Sequence, residues 1–316
     1  MFRGEGVPQG TPSVYLVAVA MLLLSACAIS GREPVTSVSA PPIAASDPGA
    51  TTVPTPAPTV VAPTPTPTAP RRESPPAAAD EPVALAEQIR FAERALRDPG
   101  VGGDELAWMG HLQQLTYRRL VERPDWRDAV LAALPDDVRG PAIANLEAGT
   151  DLRALTTPRD ELPPWRIIEP APADELARYY REAEAEFGVP WRYLAAIHLI
   201  ETRMGRIRGT SVAGAQGPMQ FMPATWAAFG EGDVNSDRDA IRAAARYLRH
   251  NGAPGSMANA LFRYNNSQRY VRAVTAYADV MRADPAAFRG YYHWQVYYRT
   301  TRGDVLLPVG YRSDAR

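Results

Sequence analysis

The sequence predicts a mainly α-helical protein with a short β-hairpin at its C-terminal end. Three observations carry this expectation. From Pro82 to Met281, apolar residues recur at steps of three and four, the repeat of one helix face. Prolines and glycines separate these stretches at helix-like intervals. The period falls to two only in the tail, Tyr291 to Tyr311.

The chain has 316 residues and a formal net charge of −1, so it lacks the basic footprint of a nucleic-acid binder. All 34 basic residues are arginine. The single cysteine, Cys27, excludes a disulfide framework and a cysteine-based zinc site. Cys27 ends a run of its own kind. Val14 to Leu24 is apolar but shorter than the about 20 residues a membrane span needs. It suits the core of a signal peptide. Leu24-Ser25-Ala26-Cys27 follows and resembles a bacterial lipobox, which implies cleavage before Cys27 and lipidation of its thiol. An uncleaved N-terminal helix is the alternative, and both readings put the rest of the chain outside the cytoplasm. Residues 31–80 hold 13 of the 31 prolines, with Ala, Thr and Ser. Such a segment cannot bury a core, and it is expected to be a disordered stalk reaching up to roughly 150 Å if extended.

Leu85, Ile89, Ala92 and Leu96 mark the first helix, which Asp98-Pro99-Gly100 stops. A second is expected from Asp104 to Arg123, a third from Trp126 to Leu134 and a fourth from Pro141 to Ala148. Residues 151–171, with four prolines, are expected to be an extended connector. His111 in this lobe is expected to be a surface or packed histidine. Leu176, Tyr180, Ala183 and Phe187 share the next helix face, and Gly188 closes it. Pro190 then opens a helix to Met204.

On that helix Leu194, Ile197 and Glu201 share a stripe, so a carboxylate falls on the apolar side. Burial would raise its pKa and suit it to general-acid work near neutral pH. Two structural explanations stand beside the catalytic one: a salt bridge from Arg203 or Arg206, or a place at the stripe's edge. Gly205, Gly209, Gly214 and Gly217 follow, allowing tight turns and close backbone approach. Pro223 opens a short helix. Ser236 and Asp239 fit a helix cap better than a calcium loop, because the sixth loop position is Arg238 and the twelfth is Ala244. Helices are expected over Asp239–His250 and Ser256–Arg263. Tyr270, Val274, Tyr277 and Met281 form a last stripe, more typical of core than of a sugar platform. In the tail, Trp294, Val296 and Tyr298 alternate, Arg302-Gly303-Asp304 is expected to turn, and Val305-Leu306-Leu307 returns.

Three short signatures in this order resemble those of the lytic murein transglycosylases, a goose-lysozyme-like branch of the lysozyme superfamily. They are Glu201-Thr202, the segment Gly214-Ala215-Gln216-Gly217-Pro218-Met219-Gln220-Phe221-Met222-Pro223-Ala224-Thr225, and Tyr264-Asn265. The wording resembles most the membrane-bound type B and actinobacterial lipoprotein forms. The resemblance covers roughly 173–284 and implies a lysozyme-like helical catalytic domain. It implies that Glu201 is the sole catalytic acid and base, that Gln220 bonds the sugar, and that Met222 walls the subsite. Tyr264 would orient and polarise it, Ser211 would contact the reacting sugar, and Asn265 would support local structure. Pro218 departs from the family's variable residue there and stiffens the loop. No cofactor and no metal ligand set is expected, and the resemblance leaves open a weak calcium site near Asp233, since some type B relatives bind calcium there.

The expected organisation is a signal peptide over 1–26, a lipidated stalk over 27–81 and a helical N-terminal lobe over 82–169. A catalytic domain over 170–284 and a hairpin tail over 285–316 complete it. The expected activity is non-hydrolytic cleavage of the MurNAc-β-1,4-GlcNAc bond of peptidoglycan by a monomer anchored at the membrane through Cys27. If the source is actinobacterial, the anchor lies on the outer face of the cytoplasmic membrane. A hydrolytic muramidase of the same fold and a weakly active wall-binding protein are the alternatives.

Overall fold

The computed structural model describes residues 75–313. Cys27, the signal segment and most of the stalk lie outside the described residues. Within them the chain is mainly helical, with two small antiparallel strand pairs.

Four helices come first: α1 (Pro82–Arg97), α2 (Gly103–Glu122), α3 (Arg127–Ala133) and α4 (Asp136–Leu155). The stripe of α1 is buried in full, with Leu85, Ile89, Ala92 and Leu96 all at 0% exposure. Each large aliphatic side chain there contributes about 1.5–3 kcal/mol. The fourth helix corrects the sequence reading. It begins five residues before Pro141 and runs past Ala148, so that Pro141 lies inside it. A proline in the second turn removes one intrahelical hydrogen bond. Burial of Val138, Ala142 and Leu146 on the same helix offsets that loss.

The connector expected over 151–171 is extended only from 156 onward, because α4 takes in residues 151–155, and β1 (Arg166–Ile167) within it pairs with β2 (Ile207–Arg208), a pairing that two-residue strands give no period to foresee. Next come α5 (Ala173–Phe187), with Gly188 at φ 68 as its left-handed stop, and α6 (Trp191–Thr202). Pro190 is the residue before α6 and not its first. Then follow α7 (Pro223–Phe229), α8 (Asp237–His250), α9 (Met257–Tyr264), α10 (Gln268–Ala283) and the unforeseen short α11 (Ala287–Tyr292). Ser236 caps α8, its hydroxyl accepting the Asp239 amide at 3.3 Å.

The tail hairpin is β3 (Val296–Thr300) and β4 (Gly303–Leu307). Its turn is one residue earlier than expected. Thr301 and Arg302 form the loop, Gly303 starts β4 at φ 120, and Asp304 pairs with Arg299 inside the ladder. His111 of α2 reaches the hairpin, its Nε2 lying 2.9 Å from the Tyr297 hydroxyl.

Helix α10 packs against both α4 and α6, while α5 packs on α8 and α1 on α2. One continuous core joins Leu85 at the start to Trp294 near the end. A satellite cluster of Ile167, Val296 and Leu307 seats the hairpin on β1. No helix of the described residues is long and apolar enough to cross a membrane.

Candidate active site

Helix α6 buries Leu194, Ile197, His198 and Leu199 completely, and presents Glu201 half-buried one turn later. Its end is forced. Arg203, Met204 and Gly205 take φ of 54, 60 and 80, three left-handed residues in succession. Such a conformation in non-glycine residues costs about 1–3 kcal/mol each and persists only where neighbours impose it. The neighbours are plain here. Arg203 Nη1 donates to the Leu199 carbonyl at 2.6 Å, and the Met204 amide to His198 O at 3.2 Å. Thr202 Oγ1 accepts the Gly205 amide and donates to the Pro218 carbonyl at 2.6 Å. Thr202 therefore ties the end of the Glu201 helix to the glycine turn. Behind α6, the Tyr180 hydroxyl lies 2.7 Å from His198 Nδ1, and His198 Nε2 lies 3.5 Å from Asp237, which Arg208 holds at 3.0 Å.

The Glu201 carboxyl has one protein partner that decides its geometry. The Tyr270 hydroxyl donates to its Oε1 at 2.7 Å. Burial pushes the Glu201 pKa up to about 7, and the Tyr270 bond pulls against that rise. Neither arginine that competed for it in the sequence pairs with it. Arg206 reaches Glu169 at 3.1 Å and the Tyr292 carbonyl. Arg203 turns to Leu199 O.

Tyr270 lies in the core, as its stripe predicts, and its hydroxyl also touches the acid. Tyr264, the expected orienting residue, stands one ring behind it. The two rings stack with centroids 6.4 Å apart and planes 5° from parallel. The Tyr264 hydroxyl donates to the Met219 carbonyl at 2.6 Å, so it braces the glycine turn. Proximity to Glu201 adds to burial in holding the Tyr264 phenol well above its ordinary pKa.

The turn itself closes on paired bonds between the Gln216 and Phe221 backbones, both at 2.8 Å. Gln220 sits at φ 52, with its Nε2 donating to Gly217 O at 2.9 Å, which leaves its side-chain oxygen unengaged among the described residues. Met222 precedes α7 and is half-buried. Ser211 Oγ accepts the Ala215 amide at 2.9 Å within its own loop. Asn265 ends α9 and is buried. The motifs thus meet through Thr202 to Pro218, Tyr264 to Met219 and the Tyr264–Tyr270–Glu201 stack.

A cavity of about 280 Å³ opens against Glu201. Of the residues the motifs single out, Glu201 alone lines it. The rest of its wall comes largely from α2, α4, Trp165 and the hairpin. From the sequence, the tyrosines of the tail are a candidate extension of a sugar groove, whereas sequence reasoning missed Trp165 and the residues of α2 and α4 because they are ordinary polar and aromatic positions in distant segments. Their only shared signal is the abundance of arginine and tyrosine in those segments.

Residues 178–283 match the family model of the Transglycosylase SLT domain. The chain is also 30% identical over 152 residues to "Membrane-bound lytic murein transglycosylase F" of Thiobacillus denitrificans, covering 42% of this chain. It spans about a third of that relative's length, 32%. The relative is of type F, whereas the motif wording resembles type B. No solved structure matches the chain significantly. The matched segment holds Glu201, the glycine turn, Tyr264 and Tyr270, so the residues gathered at this site lie in the part of the chain that is similar to the Transglycosylase SLT domain.

Proposed function

We propose that this protein is a peptidoglycan lytic transglycosylase that cleaves the MurNAc-β-1,4-GlcNAc bond without water. The observation that carries this reading is the half-buried Glu201, held by Tyr270 and protonated to about pH 7. One group that holds a proton near neutral pH can first give it and then take one back. Glu201 protonates the glycosidic oxygen, and the bond from C1 of muramic acid to that oxygen breaks. The acetamido oxygen of the same sugar closes onto C1. Glu201, now ionised, takes the proton of the sugar's 6-hydroxyl as that oxygen attacks C1 and displaces the acetamido oxygen. The products are a GlcNAc 4-hydroxyl and a 1,6-anhydromuramyl end, with Glu201 restored. Gln220, Met222 and Ser211 are assigned to sugar contacts in this reading, Tyr264 to the support of the turn, and Asn265 to local structure.

A hydrolytic reading has one observation in its favour. Asp304 lines the same cavity, and two-carboxylate glycosidases need a second acid group. Its carboxylate, however, accepts from Arg118 and Arg153, and these hold its pKa below the usual range, which makes it a weak base. Mass spectrometry of fragments released from sacculi separates the two. Anhydro ends are expected from the wild-type protein and none from Glu201→Gln. Ends heavier by one water, or release by Glu201→Gln, would sink the assignment.

We also place the domain outside the cytoplasm, tethered through a lipid on Cys27 and the proline-rich stalk. The relative's name supports membrane association. Cys27→Ala is expected to move the protein from the membrane fraction to the soluble fraction, and an unchanged distribution would remove the anchor.

A further inference from the structure

The cavity beside Glu201 carries more positive charge than its carboxylates balance. Arg118, Arg153, Arg203 and Arg299 line it, against Asp304 and Glu201. Asp304 Oδ2 accepts from both Arg118 and Arg153, and Arg153 also reaches Glu122 at 3.2 Å. That leaves Arg203 and Arg299 with no acidic partner among the described residues. Each is oriented by carbonyls alone. Arg203 donates to Leu199 O at 2.6 Å, and Arg299 Nη1 to Arg153 O and Thr156 O, both at 2.7 Å. Those bonds fix the guanidinium groups and leave their charge uncompensated. Removing a cation from water without a counter-charge is unfavourable. Burial, with Arg118 nearby, accordingly lowers the pKa of Arg203. Glu201 does not supply the missing charge, since its Oε1 faces Tyr270.

We infer that this cavity is a subsite for a carboxylate on the peptide stem of the glycan substrate, with Arg203 and Arg299 as its ligands. The inference rests on the reading of the protein as a peptidoglycan enzyme. Hydroxyl and acetamido groups of the sugars are neutral, so an anion close to a reacting muramic acid belongs to the peptide on its lactyl arm. Glu201 and Arg203 line one cavity, which puts that arm beside the bond being cut. A volume of about 280 Å³ is just under the usual range of small-molecule pockets, the size for a side arm and not for a saccharide strand. Guanidinium groups recognise carboxylates through paired, charge-assisted bonds.

The test is calorimetry on the full chain with two probes that contain no cleavable bond. One is N-acetylmuramyl-L-alanyl-D-glutamate; the other is its diamide, alike in shape and uncharged. The diacid is expected to bind tighter by about tenfold or more, the scale of a charge-assisted pair. Arg203→Met is expected to reduce that preference by about tenfold, and Arg299→Gln, in the hairpin, to do the same should the first variant not fold. Equal binding of diacid and diamide, failure of both to bind, or an undiminished preference in both folded variants would overturn the inference. So would acetate competing as well as the diacid, which would make the site a general anion hole. A diacid preference without anhydro products from sacculi would keep the subsite and remove the transglycosylase reading.

Discussion

Glu201 and Tyr270 are a pair in which burial and hydrogen bonding oppose each other. Burial favours the neutral acid, the Tyr270 hydroxyl favours the carboxylate, and burial wins, leaving the pKa at about 7. Tyr270→Phe removes the effect that pulls the pKa down. The Glu201 pKa then rises, and the acid stays protonated to higher pH. The alkaline limb of the pH–rate profile is therefore expected to move upward, while the maximal rate falls about tenfold as the carboxyl loses its orientation. A limb that moves downward in rates measured on sacculi would refute this. Glu201 was legible in the sequence because a carboxylate on an apolar stripe stands out, and the motif around it is specific. Tyr270 was not. It shares a helix face with Val274, Tyr277 and Met281, all buried, and its role is set by a partner 69 residues away. Arg203 was legible as a charge near Glu201, but only the fold shows that the two do not meet.

At the scale of elements, the glycine turn has the least tolerance. Gly217 sits at φ 72, and a Cβ there would lie 1.9 Å from the Val234 carbonyl oxygen. Gly217→Ala is expected to cost about 2–4 kcal/mol, from the left-handed backbone and a contact that must open. Thermal unfolding measures it, and a melting temperature within about 2 °C of wild type would contradict the strain. The long helices were legible because each buries a stripe that the sequence spells at intervals of three and four. Helix α4 was shortened in that reading because proline marks a first turn far more often than a second. The β1–β2 pair was invisible, since two residues carry no period. The hairpin was legible, but its turn was placed a residue late because Arg302-Gly303-Asp304 looks like a loop. Asp304 in fact belongs to the ladder, where Arg118 and Arg153 claim its carboxylate.

Across the whole molecule, a buried polar chain links helices from before the SLT segment to the tail after it. Glu93, at 1% exposure, accepts from Arg97, Tyr117 and Gln113. Gln113 in turn accepts from Trp294 at 2.9 Å, and the Tyr291 hydroxyl donates to Asn145 of α4 at 2.7 Å. Removing one member leaves several buried donors unsatisfied. Glu93→Ala is expected to cost about 3–5 kcal/mol. Chemical denaturation is the measure, and a loss below about 1 kcal/mol would show the chain to be incidental. Sequence alone gave no warning of this network, because Glu93 sits beside the first stripe and looks like an exposed acid of an amphipathic helix.

The cavity against Glu201 takes most of its wall from α2, α4, Trp165 and the hairpin, all outside residues 178–283. The acid and the surface it faces are therefore inherited in different stretches of the chain. A change in those flanks would alter the surface facing Glu201 while every motif residue stays as it is. Two such proteins with identical signatures would share a reaction and differ in diet.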